Sequence, residues 1–140
     1  MERFADRQEL APLPDWLRQD DNPPWAEKHL RHLIDKNPSE QIKGQSRYAL
    51  ALVLKNKDEA SQPEAEKLLQ AAIADLSKQP QQGPAEKQRL EQARKELEEM
   101  KVYGLGKPAP EISAEDLDGK GFKLSNYKGK VVLLDFWGNW

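Results

Sequence analysis

The chain has 140 residues, 37% apolar and 33% charged, with ten prolines and no cysteine. That length holds one modest domain or two small pieces, and the apolar fraction supports a core of limited size. Lys and Arg number 22 against 24 Asp and Glu, split as 17 against 19 up to residue 103 and 5 against 5 beyond, so neither half has the basic face that binding nucleic acid requires.

No apolar run approaches the roughly eighteen residues that a membrane span needs. The opening Met1-Glu2-Arg3-Phe4-Ala5-Asp6 lacks the charged and then apolar layout of a signal peptide, and the compartment stays open. Residues 1–24 carry Pro12, Pro14, Pro23 and Pro24 without sustained periodicity, and read as an irregular lead-in.

From residue 25 to 103 the pattern is helical. Asn22 before Pro23 and Pro24, Asn37 before Pro38 with Glu40 three residues on, Ser61 three before Glu64, and Gly83 before Pro84 are helix-start signals. They predict about four helices, near 25–36, 39–57, 62–79 and 85–103. Each has an apolar stripe at spacings of three and four: Ala26, Leu30, Leu33 and Ile34; Ile42, Ala49, Leu52 and Val53; Ala65, Leu68, Leu69, Ala72, Ile73 and Leu76; and Leu90, Ala93, Leu97 and Met100. Short loops make these antiparallel hairpins. Ala26-Glu27-Lys28-x-Leu30 recurs as Ala65-Glu66-Lys67-x-Leu69, near the period of helical-hairpin repeats, which leaves a solenoid-like arrangement open beside plain hairpins.

His29 and His32 lie three apart, but no cysteine or suitably spaced carboxylate completes a metal site. They read as a solvated or half-buried pair, and neither a metal nor a cofactor is expected. The last helix, with Glu96, Glu98 and Glu99, reads as a solvated face supported by pairs such as Glu91 with Lys95.

At Tyr103-Gly104 the style changes, and Gly106, Pro108, Pro110, Gly119, Gly121 and Gly129 punctuate short strands and turns. Residues 111–117 and 122–127 flank Asp118-Gly119, a hairpin-turn dipeptide, and Val131 to Trp137 reads as a buried strand. A strand this apolar needs a sheet on both sides. The chain is therefore expected to be a fragment, with Val131, Leu133 and Phe136 partly exposed in isolation. Aggregation or poor order is expected beyond residue 104.

Gly106-Lys107-Pro108-Ala109-Pro110-Glu111-Ile112, Asp116-Leu117-Asp118-Gly119, and the run from Phe122 through Trp137 together resemble the opening of a redoxin domain. That superfamily covers TlpA-like thiol-disulfide oxidoreductases and the alkyl hydroperoxide reductase or thiol-specific antioxidant proteins, both on a thioredoxin fold. The fold class implied is α+β: helical hairpins over 25–103, then the first strands of an incomplete thioredoxin-like α/β domain over 104–140.

Asp135-Phe136-Trp137-Gly138-Asn139-Trp140 resembles the TlpA-like pattern in which a Trp-Cys-x-x-Cys motif follows directly. Peroxiredoxins instead carry a Pro and then a Thr or Ser before their reactive cysteine, so the resemblance favours a dithiol exchanger and keeps a peroxidase as the alternative. It implies that Asp135 is a buried carboxylate with a raised pKa that assists proton transfer at the resolving cysteine. Trp137, Gly138, Asn139 and Trp140 would flank the active-site turn. Protein thiols and disulfides are the implied partners, through cysteines beyond this chain, which would itself be inactive. An extracytoplasmic or membrane-associated bacterial parent with antioxidant activity is also implied. The third alternative is a helical interaction module attached to a non-catalytic thioredoxin fold.

Overall fold

The computed structural model describes residues 13–17, 24–78 and 83–137. They divide into two compact units, one ending at Lys107 and the other beginning at Pro108. The first is helical: α1 (Leu13–Leu17), α2 (Pro24–Lys36), α3 (Glu40–Lys55), a 3-10 turn (Glu59–Ser61), α4 (Gln62–Ser77) and α5 (Pro84–Tyr103). The second contains β1 (Ser113–Glu115), β2 (Gly121–Lys123) and a 3-10 turn (Leu124–Tyr127). The class is α+β, and the sheet is a two-stranded antiparallel ladder.

In the helical unit α3 is the centre, packed against α2, α4 and α1, while α5 packs against α4. Its sequence Tyr48-Ala49-Leu50-Ala51-Leu52-Val53-Leu54 is apolar on almost every side, and a helix of that kind must be covered on almost every side. Leu50 and Leu54, outside the expected stripe, are fully buried, whereas the expected Leu52 is only partly so. The stripes of the other helices mostly face this core. Ala26 and Leu30 of α2 and their repeat counterparts Ala65 and Leu69 of α4 are all completely buried. Gly44 of α3 allows a close approach: a methyl there would lie 3.1 Å from Asp75 Cβ on α4. Arg47 and Asp75 form an ion pair across the same crossing.

Helix starts differ from expectation in instructive ways. Ser39, not Asn37, caps α3, its hydroxyl accepting the Ile42 N–H. Asn37 is instead buried after the end of α2, where its carboxamide oxygen accepts the Ser39 N–H at 2.8 Å and shapes the corner. Ser61 makes no side-chain cap on α4; Asp58, three residues earlier, accepts the Ser61 N–H at 2.7 Å and caps the 3-10 turn. Gly83 and Pro84 do open α5. The irregular lead-in expected for residues 1–24 is helical at Leu13–Leu17 and at Pro24, where tertiary contacts hold Leu13 and Pro14 and where Pro14 and Pro24 sit in first-turn positions that tolerate them. Asn22 lies outside the described residues. On α5 the expected Glu91–Lys95 pair is replaced by Glu91 with Arg94 at 2.8 Å and Lys95 with Glu99 at 3.7 Å.

A charged cluster ties α2 to α4 and to the end of α3. Arg31 binds Glu27 at 2.9 Å and Glu64 at 2.6 Å, and Lys57 reaches Glu27 at 3.1 Å. Glu64 is held below the usual carboxylate range chiefly by its hydrogen bond with Arg31, and Glu27 by those with Lys57 and Arg31.

Two outcomes follow from this packing. Leu69→Ala removes a fully buried side chain from the centre of the core, and a loss of about 2–5 kcal/mol is expected in urea unfolding followed by helical circular dichroism. Both glutamates have folded pKa values below their unfolded ones, so their contribution is complete above the unfolded carboxylate pKa and is lost as pH falls through the folded value. Arg31→Met is expected to cost about 0.5 kcal/mol at neutral pH, since the cluster is largely solvated, and to flatten the fall of stability in acid.

Candidate functional site

The residues singled out by the sequence lie in the second unit, which is held by local polar bonds rather than by a core. Ser113 pairs with Lys123, Ala114 with Phe122 and Glu115 with Gly121. These strands are shorter than the expected 111–117 and 122–127, because the turn consumes Asp116 to Lys120. The Asp116 N–H donates to the Lys120 carbonyl at 2.9 Å, and the Gly119 N–H to the Asp116 carbonyl at 3.0 Å. Gly119 has φ +76°, the left-handed conformation that a type I turn closing through a G1 bulge demands. The Asp116 carboxylate then accepts two more N–H groups, from Asp118 at 3.0 Å and Lys120 at 2.9 Å. The organising residue is therefore Asp116 together with Gly119, not the Asp118-Gly119 pair alone. An Asp three residues before a Gly was the available sequence signal.

The chain after β2 is pinned back onto the segment before β1. The Leu124 N–H donates to the Ile112 carbonyl at 2.9 Å, and the Ser125 N–H to the Glu111 carboxylate at 3.0 Å. Hydrogen bonds from Ser125 hold the Glu111 carboxyl below its ordinary range. Lys130 Nζ lies 5.9 Å from the centre of the Tyr127 ring. Pro108, Pro110, Tyr127, Val132 and Leu134 are among the residues lining an open concavity of about 540 Å³.

Val131 to Trp137 is not a strand. Exposure alternates over its first four residues: Val131 104% and Leu133 93%, against Val132 41% and Leu134 47%. One row of side chains leans on its own unit and the other is bare, as expected of β-patterned chain with no neighbouring strand to pair with. Asp135, expected to be a buried carboxylate, is exposed, and so are Phe136 and Trp137. Burial of Asp135 needs packing elements over the side of the run that carries Val131, Leu133 and Asp135, and residues 108–137 leave that side open. Gly138, Asn139 and Trp140 lie outside the described residues.

His29 and His32 form no site together. Both are half-buried; His29 Nδ1 is 2.7 Å from the Trp25 carbonyl and its ring meets Trp25 edge-on at 5.4 Å. Among the described residues no three His, Asp or Glu side chains are arranged to hold a metal ion.

Known proteins resemble this chain over a short stretch. It is 50% identical over 36 residues to the thiol-disulfide oxidoreductase ResA of Bacillus thuringiensis subsp. konkukian, covering 26% of this chain and 21% of that protein. With ResA of Geobacillus thermodenitrificans it shares 40% over 42 residues, 30% of this chain and 24% of the relative. With ResA of Bacillus subtilis it shares 51% over 35 residues, 25% and 20% respectively. The matched stretch thus spans about a fifth to a quarter of the length of these relatives. No family model matches the chain, and no solved structure does.

Asp116→Ala removes the acceptor of two turn N–H groups. Faster amide exchange at Asp118 and Lys120 is expected by NMR, with a local cost of about 1 kcal/mol, while amides of α3 and α4 are unchanged.

Proposed function

We propose that residues 106–140 are the opening of a redoxin domain and that the protein they belong to is a TlpA-like thiol-disulfide oxidoreductase. The observation that carries this is the stretch of 35–42 residues at 40–51% identity to ResA proteins, all named thiol-disulfide oxidoreductases. The motif order in residues 106–137 and the half-covered apolar run at 131–134 support the same reading.

The chain has no cysteine, so the 140 residues alone carry no exchange chemistry. In the proposed protein a Cys-x-x-Cys pair follows Trp140 at a helix start, where the helix dipole and free amide donors lower the first thiol's pKa. That thiolate attacks a substrate disulfide, expelling one substrate sulfur as thiolate and forming a mixed disulfide. The second cysteine, deprotonated, attacks the enzyme sulfur, releases the other substrate thiolate and leaves the enzyme oxidised. Asp135, once covered by the rest of a thioredoxin-like sheet, is the proton acceptor for the second cysteine. Trp137 and Trp140 border the turn. Protein thiols and disulfides are the substrates, and the helical unit positions the redox domain toward a protein partner.

The coding sequence beyond Trp140 tests this, followed by insulin reduction with the longer protein. A Cys-x-x-Cys directly after Trp140, turnover, and a loss of about a hundredfold in Asp135→Asn are expected. A single cysteine with peroxide turnover assigns the peroxidase alternative instead, and the absence of any cysteine overturns redox chemistry altogether.

A further inference from the structure

A helix of five residues does not persist on its own, so α1 keeps its shape through what it touches. Among the described residues it makes contacts of three kinds, to three helices. Pro14 is fully buried, and Leu13 packs against the core, with α3 the main neighbour. Asp15 accepts a hydrogen bond from Arg89 of α5 at 2.6 Å, in an ion pair that is mostly shielded on the arginine side. Trp16 meets Trp25 of α2 with ring centroids 5.8 Å apart and stays more than half exposed. An apolar Leu-Pro anchor, a carboxylate bonded by arginine and an aromatic contact at the rim give this short segment a buried foothold, a charge-read position and a boundary on one helical surface.

We propose that the surface of α3, bordered by Arg89 and Trp25, is a receptor for Leu-Pro-acidic segments, and that α1 is its intramolecular occupant, displaced by a partner protein's segment of the same chemistry. This is independent of the thiol chemistry. A tethered segment acts at an effective concentration of about millimolar, so a competing partner binds weakly until α1 is released.

The test uses the full 140-residue chain and a fluorescein-labelled peptide with the sequence of residues 10–19, followed by fluorescence anisotropy. In the double variant Leu13→Asp, Asp15→Lys the built-in occupant is disabled. This variant is expected to bind the peptide at least about tenfold more tightly than the unmodified chain, and adding Arg89→Glu is expected to remove that gain. The proposal is overturned if the variant keeps its helical circular dichroism and cooperative melting yet binds no peptide, or binds it no better than the unmodified chain does. The milder Asp15→Lys alone guards against misfolding: if even this variant loses its helical fold, α1 is an integral part of the core and the proposal fails.

Discussion

Covering α3 is the requirement on which the helical unit depends. A helix with ten buried residues in sixteen has no solvent face to spare, and each neighbour exists to close one side of it. Gly44 lets α4 come close, α2 supplies Ala26 and Leu30, and even a single-turn segment such as α1 is recruited to the remaining side. The corners that join these helices are correspondingly well furnished with polar caps. Asn37 and Gln62 are both buried; the Gln62 amide donates to the Lys55 and Asp58 carbonyls and so closes the end of α3 where the chain turns toward α4. Polar groups taken out of water at such corners must be satisfied, and here main-chain groups do so: the Ser39 N–H for Asn37, and the Lys55 and Asp58 carbonyls for Gln62.

The second unit obeys a different logic. With three-residue strands and little buried apolar surface, its shape rests on carboxylates that collect backbone N–H groups, Asp116 at the turn and Glu111 at the return. Such bonds fix local geometry without supplying the burial that gives a fold cooperative stability. The apolar residues that would supply it include Val131, Leu133, Phe136 and Trp137, which are left facing water.

Much of the helical unit was legible because period and punctuation agree. All four stripe residues of α5 are buried, and helix bounds fall within two residues wherever they are described. What escaped was non-local. The identity of the α3 cap depended on Asn37 being used for the corner; the burial of Leu50 depended on α3 being covered from several directions; and the Asp15–Arg89 pair joins residues 74 apart. For the candidate site, the order of motifs was readable as a family resemblance. The surroundings of Asp135 were not, because burial belongs to whatever packs on a strand and not to the strand itself.

The exposure of Val131 to Trp137 gives the charge of Asp135 a physical consequence that needs neither a partner nor a reaction. Six of these seven residues are apolar and β-prone, and Asp135 is the sole charge among them. A single carboxylate in such a run acts as a gatekeeper: stacking like segments in register sets negative charges against one another and disfavours fibrillar association. Neutralising Asp135 therefore removes the one charge that opposes stacking of this run against copies of itself.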